Sequence, residues 1–416
     1  MLATLILLLA ALPSVVIASL AIPWVPPAPC PTCSSPNYVG KNNGTLKNGR
    51  FVKGRAFERV IQIWLENTDY NTAVTSPFFQ TLVKEGILLS SYFAVTHPSE
   101  PNYIASISGD FYGLADDNIY HVPSNISTIV DLLEKKKVSW ATYQENMPTD
   151  AYLLNYASHN YNTGSGTYGY YVRKHNGPVI HDAISNTTSR AHRIRNFNDF
   201  AADINASALP QWVFVTPNMV NDGHDTTIDY ISQWLKYWLV PLLKNKKFNG
   251  GHGTDGTLVV LTFDENDYTD PNKVFTLLLG SAIPAHLKGT VDHTFYTHYS
   301  LLSTVEANWR LGNLGRGDTN LPLANVFDFV AKRANVKNVP PPNPLPLTNL
   351  TGVYPGPLNP SAWIPFVAPV KSHRFGQTYI RPGMNLSVTK HTIGPPINIT
   401  YAENPYAGTG NIIPLH

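Results

Sequence analysis

The sequence predicts an α/β fold with a doubly wound, mostly parallel central sheet flanked by helices. Apolar segments without a polar face alternate along the chain with segments whose apolar residues follow a helical period, as in sheets covered on both sides. The most apolar strand segments are 60–65 and 257–263, and acidic or amide side chains follow each of them directly. With 416 residues, the chain is long enough to bury a large core.

The N-terminal region divides into two segments. Residues 1–21 form an uncharged apolar stretch that ends in a small-x-small site, which predicts a cleaved signal peptide, with a retained anchor as the alternative. Residues 22–55 are rich in Pro, Asn and Gly and predict an extended arm. In this arm lie the chain's 2 cysteines, Cys30 and Cys33, for which we expect a small local disulfide because no second pair completes a zinc site.

The body of the chain, residues 56–336, is predicted as one catalytic α/β domain. Its strands are predicted at 60–65, 87–95, 139–143, 211–216, 257–263 and 274–279, and its helices at 78–85, 127–137, 198–207 and 228–243. Residues 146–195 follow neither period, and a segment of that length is usually functional, such as an insertion that shapes the substrate site. Residues 337–416 carry many prolines and predict an extended tail that packs on the body.

Composition bears on possible partners and on location. Charged residues make up 14% of the chain and the formal net charge is +2, so we expect no nucleic-acid partner. No segment after the apolar N-terminus approaches the length of a membrane span, so we expect no stable membrane insertion. Several Asn-X-Ser/Thr motifs behind a signal peptide predict a secreted protein, extracellular or in the cell wall, with N-linked glycans. The acceptor residues are Asn43, Asn125, Asn186, Asn205, Asn349, Asn385 and Asn398.

Polar, titratable side chains follow several of the predicted strands. These clusters are Glu66 and Asn67; His97 and Ser99; Asn218, Asp222, His224 and Asp225; and Asp264, Glu265 and Asp267. Because ligands of open α/β sheets bind beyond the carboxyl ends of the strands, we expect the clusters to converge on one rim. Each cluster alone also has a structural interpretation as a turn or a helix cap.

The chemistry that such a rim supports is metal-assisted transfer. Carboxylate and amide oxygens suit a divalent cation, and a serine oxygen bound to that cation would be deprotonated near neutral pH. Ser99 falls between an apolar strand and a short helix that begins near Pro101, where backbone N–H groups favour an anion. Histidines can protonate a leaving alkoxide and donate hydrogen bonds to a phosphoryl group. An N-cap serine is the structural alternative for Ser99.

Taken together, five motifs carry a resemblance to a known family. They are Trp64-Leu-Glu-Asn67; His97-Pro-Ser-Glu-Pro-Asn-Tyr103 with Ser108-Gly109; Pro217-Asn218 with Asn221-Asp-Gly-His-Asp225; Thr262-Phe-Asp-Glu265; and His298-Tyr-Ser-Leu-Leu-Ser-Thr-Val-Glu306. In this order over residues 57–335 they resemble the phosphoesterase family of secreted fungal acid phosphatases and bacterial phospholipases C. That family belongs to the alkaline phosphatase superfamily, so the resemblance implies an alkaline-phosphatase-like fold.

The resemblance also implies roles for individual residues. It implies a divalent metal ion, of unknown identity, held by Glu66, Asn67, Asp264 and Glu265. We expect one ion, because the two-metal ligand set of the superfamily, with its aspartate and paired histidines, is not evident in this sequence. The resemblance implies that Ser99 is the nucleophile and forms a phosphoserine intermediate. The residues expected to contact the phosphoryl group or the substrate are His224, His298, Asn102 and His97, and those expected to support the site from behind are Asp222 and Asp225.

The predicted function is that of a secreted acid phosphatase, which hydrolyses monoesters of small phosphorylated molecules by a metal-assisted serine nucleophile. A phospholipase C or phosphodiesterase on the same scaffold is the alternative, since the same rim cuts diesters when its mouth is wider. A glycosidase that uses Glu66, Asp264 and Glu265 would leave Ser99 and His224 without a role. A non-catalytic binding glycoprotein would not need the nucleophile and all the ligands.

Overall fold

The computed structural model describes residues 22–250, 256–268, 271–341, 343 and 354–389. The predicted signal peptide and the predicted acceptors Asn349 and Asn398 lie outside these residues. Over the described part of the chain, every helix is too short or too polar to cross a membrane.

Short strands and helices alternate along the chain. The strands are β1 (Arg59–Leu65), β2 (Ile87–Leu89), β3 (Tyr92–Phe93), β4 (Trp140–Gln144), β5 (Tyr156–His159), β6 (Thr167–Tyr171), β7 (Ile194–Asn196), β8 (Trp212–Thr216), β9 (Thr257–Phe263), β10 (Thr276–Leu279), β11 (Thr290–Asp292) and β12 (Tyr296–Thr297). The longer helices are α1 (Tyr70–Thr75), α2 (Pro77–Val83), α3 (Ser99–Ser108), α4 (Ile129–Lys135), α8 (Phe197–Asn205), α9 (Ile228–Tyr237), α10 (Leu239–Lys244), α12 (His298–Trp309) and α13 (Asp328–Ala334). The single-turn helices are α5 (Gly177–Ile180), α6 (Asp182–Ser185), α7 (Thr188–Ala191) and α11 (Lys246–Asn249).

The centre of the molecule is an 8-stranded sheet with the order β11-β2-β10-β9-β1-β8-β4-β7. All neighbouring strands in it are parallel except where β10 pairs with β9 and β2. The predicted α/β class with a mostly parallel sheet is confirmed. The strand predicted at 274–279 is the antiparallel one, because the described residues that connect β9 to β10 contain no crossover helix.

The core lies on both faces of this sheet. Every side chain of β1 and β9 is buried, as expected for strands that helices cover on both sides. On one face, Trp234 of α9 stacks on Trp238 with ring centroids 4.8 Å apart, and Phe200 of α8 stacks on Trp238 at 5.4 Å. The apolar segment 228–243 therefore packs in the core, as predicted.

Two predicted elements are wrong in their extent. The strand predicted at 87–95 breaks after β2, because Ser90 turns away and its Oγ lies 2.7 Å from His293 Nδ1; β3 instead pairs with β12 in a 2-stranded sheet. The helix predicted at 228–243 breaks between α9 and α10. Pro241 has no N–H to continue the hydrogen-bonding of α9 into that turn.

Residues 146–195 contain more regular structure than their sequence indicates. They form the antiparallel hairpin of β5 and β6, the single-turn helices α5 to α7 and part of β7, which pairs with β4 at the edge of the central sheet. These strands and helices are too short to produce a hydrophobic period in the sequence. A tight turn at Arg173–His175 lies between β6 and α5.

The N-terminal arm and the described C-terminal residues lie against the body. Cys30 and Cys33 form a disulfide. In the C-terminal segment, Val370 N donates to Gly315 O at 2.8 Å. The predicted glycosylation acceptors in the described residues include the exposed Asn43, Asn186, Asn205 and Asn385. Asn125 is half-buried, and its Nδ2 donates to Gly383 O at 3.1 Å.

Candidate active site

The carboxyl ends of three neighbouring strands meet at one edge of the sheet. The register places Leu65, the last residue of β1, opposite Phe263, the last residue of β9. Glu66 and Asp264, the residues that follow these two strands, therefore lie side by side. Asp264 N donates to Leu65 O at 3.0 Å, and Glu66 N donates to Asp222 O at 2.9 Å in the loop after β8. These strand ends form the single rim that the sequence predicts.

Ser99 stands at the centre of this rim. It is the first residue of α3, which begins there rather than near Pro101, and it is fully buried. Its Oγ lies 3.2 Å from Glu66 Oε2 and 3.2 Å from Glu265 Oε1. One turn along α3, Tyr103 donates its hydroxyl hydrogen to Glu66 Oε1. The structure therefore brings the predicted nucleophile against two of the predicted metal ligands.

Asn102 anchors the loop that leads to Ser99. Its Oδ1 accepts hydrogen bonds from Val95 N at 2.9 Å and Thr96 N at 3.1 Å. Its Nδ2 donates to Thr96 O at 2.8 Å and Pro98 O at 3.2 Å. Both ends of the amide are therefore used to hold residues 95–98 against the start of α3, and the expected substrate contact of Asn102 stays a prediction.

His97 and His298 each touch one of the two acidic residues that follow β9. His97 Nδ1 lies 2.5 Å from Glu265 Oε2, and its ring stacks on the exposed Tyr268 at 4.4 Å. His298 Nε2 lies 2.5 Å from the backbone oxygen of Asp264, and its Nδ1 lies 3.2 Å from the hydroxyl of Tyr92. Burial lowers the pKa of both imidazoles to about 4, so both are neutral at mildly acid pH.

These contacts bear on the role expected for His298. The side chain is completely buried, and both of its ring nitrogens contact protein groups. The structure thus shows an imidazole that supports the backbone after β9. Contact of His298 with a phosphoryl group stays a prediction.

The loop after β8 presents His224 beside two acids. His224 Nδ1 lies 2.7 Å from Asp225 Oδ1, and His224 N donates to Asp222 Oδ1 at 2.8 Å. Tyr168 donates its hydroxyl hydrogen to Asp225 Oδ2. Gly223 has a φ of 106°, and a Cβ there would meet Ile231 Cδ1 at 2.4 Å, so glycine is required for this turn. Asp222 and Asp225 thus hold His224, consistent with the support expected of them.

Sequence reasoning missed two side chains of the site, Lys174 and His175, which come from the turn after β6. His175 Nε2 lies 3.4 Å from Glu66 Oε2, and its Nδ1 lies 3.4 Å from Asp222 Oδ2. Lys174 Nζ lies 2.9 Å from Asp117 Oδ2. These residues belong to no motif, so the only signal for them was the length of the aperiodic segment 146–195.

Asn67 completes the group of residues after β1. Its backbone φ is 36°, in the left-handed region that asparagine tolerates better than most side chains. Its N donates to Asp264 Oδ1 at 3.4 Å. Its own Oδ1 is buried and, within the described residues, has no hydrogen-bond partner.

The donor set of the rim fits a divalent cation. The buried carboxyl side chains are those of Glu66, Asp222, Asp264 and Glu265. Burial and then the charge of Asp264 raise the pKa of Glu66 and of Glu265 well above the ordinary value. Asp264 Oδ2, like Asn67 Oδ1, lacks a hydrogen-bond partner among the described residues. Buried hard oxygen ligands that repel one another are what a divalent cation binds.

A second group of possible metal ligands overlaps the first. Ligand atoms of Glu66, His175 and Asp222 all lie within 4.8 Å of one another. The imidazole nitrogen adds a borderline ligand to two carboxylate oxygens, a set that suits zinc or other first-row metals. Glu66 belongs to both groups, so a bound cation would contact Glu66 in either arrangement.

Glu145, at the end of β4, supports the loop that carries Asp222 and His224. Its Oε2 accepts a hydrogen bond from Asn218 N at 2.9 Å, and both of its carboxyl oxygens accept from Asn221 Nδ2. Burial raises the pKa of Glu145 to about 7.

We expect the variant Glu145→Gln to become more stable relative to the wild type as pH rises. The folded-state pKa of about 7 lies above the unfolded value of about 4.3, so the favourable contribution is complete below the unfolded pKa and is lost as pH rises through the folded pKa. The wild type therefore loses about 3 kcal/mol of unfolding free energy. Glutamine does not ionise, so the variant does not lose this contribution. Urea unfolding of both proteins at about pH 5 and about pH 8 measures this. An equal free-energy difference at the two pH values would contradict it.

Comparison with known proteins identifies the family. The model of the Phosphoesterase family matches residues 40–312. The chain is 43% identical over 311 residues to an acid phosphatase of Aspergillus fumigatus, covering 74% of this chain and 66% of the relative. It is 48% identical over 289 residues to a probable acid phosphatase of Kluyveromyces lactis, covering 69% of this chain and 66% of the relative.

A solved structure from the alkaline phosphatase superfamily, from Vibrio parahaemolyticus, aligns with a TM-score of 0.41 at 12% identity. That alignment covers 69% of this chain and 74% of the other. The chain spans 66% of the length of the Aspergillus fumigatus relative and 66% of the length of the Kluyveromyces lactis relative. Since the family model covers well over half of the sequence, the chain belongs to the Phosphoesterase family.

Proposed function

We propose that this chain is a secreted acid phosphatase, which hydrolyses phosphate monoesters with Ser99 as its nucleophile. The observation that carries the proposal is the position of Ser99 Oγ, at the start of a helix and 3.2 Å from a carboxylate oxygen of both Glu66 and Glu265. Relatives that are named acid phosphatases support the same reaction class.

Ser99 is activated by its immediate surroundings. One of the two carboxylate groups beside Oγ can take its proton as Oγ attacks phosphorus, and it can return that proton to Oγ when water displaces the phosphoryl group. The N-terminal end of α3 carries partial positive charge, so it stabilises first the alkoxide and then the phosphoryl group on Ser99. Asn102 keeps Ser99 in this place by holding the preceding loop.

A single divalent cation is the cofactor that we assign to the site. Its ligands are Glu66, Asn67, Asp264 and Glu265. When bound, the cation supplies Lewis-acid stabilisation of developing negative charge. We assign one ion because Glu66 belongs to both groups of possible ligands, so a single ion beside Glu66 uses the carboxylate that they share. His97 and His298, both neutral, hold the residues after β9 in place.

His224 is the residue that we assign to proton transfer. Its Nδ1 is held by Asp225, and about a quarter of its side chain is exposed, unlike the fully buried Ser99. In the free protein, Nε2 lies 3.2 Å from Lys174 Nζ. Once it is protonated at Nε2, the imidazolium can give that proton to the leaving alkoxide in the first step, and Nε2 can take a proton from the attacking water in the second. The proton lost from Nε2 in the first step is thus replaced in the second.

Secretion and glycosylation belong to the same proposal. The apolar N-terminus supports a signal peptide, and the exposure of Asn43, Asn186, Asn205 and Asn385 leaves room for N-linked glycans. Asn125 is half-buried and stays a predicted acceptor. Its nitrogen donates to Gly383 O, as the nitrogens of Asn43 and Asn205 donate to Asp150 Oδ1 and Thr32 O.

Substrate comparison tests the proposed reaction. We expect kcat/KM for an aryl phosphate monoester at about pH 5 to exceed that for the bis-aryl diester by at least about tenfold, because a monoester leaves more terminal oxygens for the site to bind. Phosphatidylcholine is the third substrate, assayed for release of phosphocholine. Faster cleavage of either diester would replace the proposal with a phosphodiesterase or a phospholipase C.

A further inference from the structure

Lys174 is a cation that lies beside the proposed catalytic residues. Its Nζ lies 2.9 Å from Asp117 Oδ2 and 3.2 Å from His224 Nε2. Lysine has donors only, so His224 Nε2 must be the acceptor of this hydrogen bond, and Nδ1 carries the hydrogen that faces Asp225. The ammonium group therefore lies beside the nitrogen that a phosphoryl oxygen would have to approach.

Lys174 holds its charge in a salt bridge at the edge of the acidic rim. Its Nζ donates to Asp117 Oδ2 at 2.9 Å, a charge-assisted hydrogen bond between an ammonium ion and a carboxylate. The neighbouring Arg173 is engaged elsewhere, since it pairs with the buried Glu100 at 3.4 Å and donates to Tyr120 O.

Exposure places Lys174 between solvent and the buried acids. Its side chain is 17% exposed and that of Asp117 is 27% exposed, whereas Glu66 is completely buried. A substrate that reaches Ser99 brings further negative charge to a rim that already holds buried carboxylates. A cation that can change partners favours the entry of that charge, and a partly exposed lysine paired with a partly exposed aspartate can change partners.

We propose that Lys174 is a substrate-binding residue, whose ammonium group exchanges Asp117 for the nonbridging oxygens of the substrate's phosphoryl group. The inference rests on the proposed function and deepens it, because it names the residue that selects the substrate by charge. A monoester dianion carries one negative charge more than a diester, so it gains more from the ammonium group. Lys174 thereby favours monoesters over diesters at this site.

Three variants separate this role from a structural one. Lys174→Gln removes the charge but keeps a donor, Lys174→Arg keeps the charge, and Asp117→Asn removes the competing partner. The asparagine Oδ1 still accepts the hydrogen bond that Glu100 N makes with Asp117 Oδ1 at 2.9 Å. Rates are measured on an aryl monoester and its diester at about pH 7, where a second phosphate pKa of about 6 leaves the monoester mostly dianionic.

We expect Lys174→Gln to lower kcat/KM for the monoester by about 10-fold to 100-fold, the value of a charged hydrogen bond, and to lower it much less for the diester. Lys174→Arg should keep the wild-type ratio of monoester to diester rates. Equal losses on both substrates in Lys174→Gln would overturn the inference, since a merely structural lysine affects both alike.

Binding of inorganic phosphate distinguishes a failure of this inference from a failure of the proposed function. Calorimetry in a Ser99→Ala background should give a Kd for phosphate that Lys174→Gln raises at least about tenfold and Asp117→Asn leaves unchanged or lowers. If the wild type cleaves no phosphate ester, the proposed function fails while this measurement still reports on Lys174. Should Lys174→Gln not fold, a tenfold weaker phosphate affinity in Asp117→Asn would overturn the inference, and an unchanged or stronger one would support it.

Discussion

Replacement of Ser99 by alanine lowers kcat for an aryl phosphate monoester by roughly 10⁴-fold or more, the scale seen when a catalytic nucleophile is removed. The physical reason is that the first covalent step has no substitute. The hydroxyl of Tyr103, one turn along α3, already donates its hydrogen to Glu66 Oε1 inside the core. Direct attack by water is what remains.

The matched control for this variant is Ser106→Ala, in the same helix. Ser106 is also buried, but its Oγ donates to Tyr103 O within α3 and touches no acid of the rim. We expect this control to keep a near-normal rate, and both variants to keep the circular dichroism spectrum of the wild type. A Ser99→Ala protein with a near-normal rate would refute the nucleophile assignment.

A covalent readout makes the same prediction independently of rates. Wild-type protein quenched with acid during turnover should yield a peptide that carries phosphate on Ser99, detected by mass spectrometry. The Ser99→Ala protein should yield no phosphopeptide from α3. Phosphate on a histidine of the site instead would contradict the proposed phosphoserine intermediate.

Removal of divalent cations lowers kcat/KM by at least about 100-fold, since a metal that acts as a Lewis acid contributes several kcal/mol to the transition state. Chelator-treated protein is assayed after its metal content has been measured, and activity is then restored by a panel of divalent ions. Protein that is free of metal and still fully active would refute the assignment of a metal cofactor.

Metal removal should also change how stability depends on pH. In the metal-free protein, burial raises the pKa of Glu66, Asp222, Asp264 and Glu265, that of Asp264 to about 6. Groups with raised folded-state pKa values stabilise fully below their unfolded pKa of about 4, and this contribution is lost as pH rises through the folded values. A bound cation reverses the effect because it prefers the carboxylates.

The expected observation is a difference in Tm between metal-loaded and metal-free protein that widens from about pH 4.5 to about pH 7. The matched control is Glu306→Gln in α12. Glu306 is also a buried acid with a raised pKa. Burial and the charge of Asp318 raise that pKa, and the acids of the rim do not. Its loss should leave the metal-dependent difference intact, whereas Glu265→Gln should reduce it.

Local patterns in the sequence were enough to find the central residues of the site. Glu66 and Asp264 follow the two most apolar strand segments, and parallel neighbours must end at the same edge of a sheet. Ser99 was found because an apolar run precedes it and a helical pattern follows it. In each case the signal lies within a few residues of the side chain concerned.

Only the tertiary structure revealed Lys174 and His175, because the strands and helices around them are too short for a hydrophobic period. The tertiary structure also showed that the side chains of Asn102 and His298 form hydrogen bonds with backbone groups of the protein. Hydrogen-bond partners and charge neighbours are set by packing between segments distant in the chain. Strand ends are set by local apolar runs, so the sequence by itself determined which residues lie at the rim, including the proposed nucleophile. Tertiary packing decided which other side chains hold these residues and balance their charge.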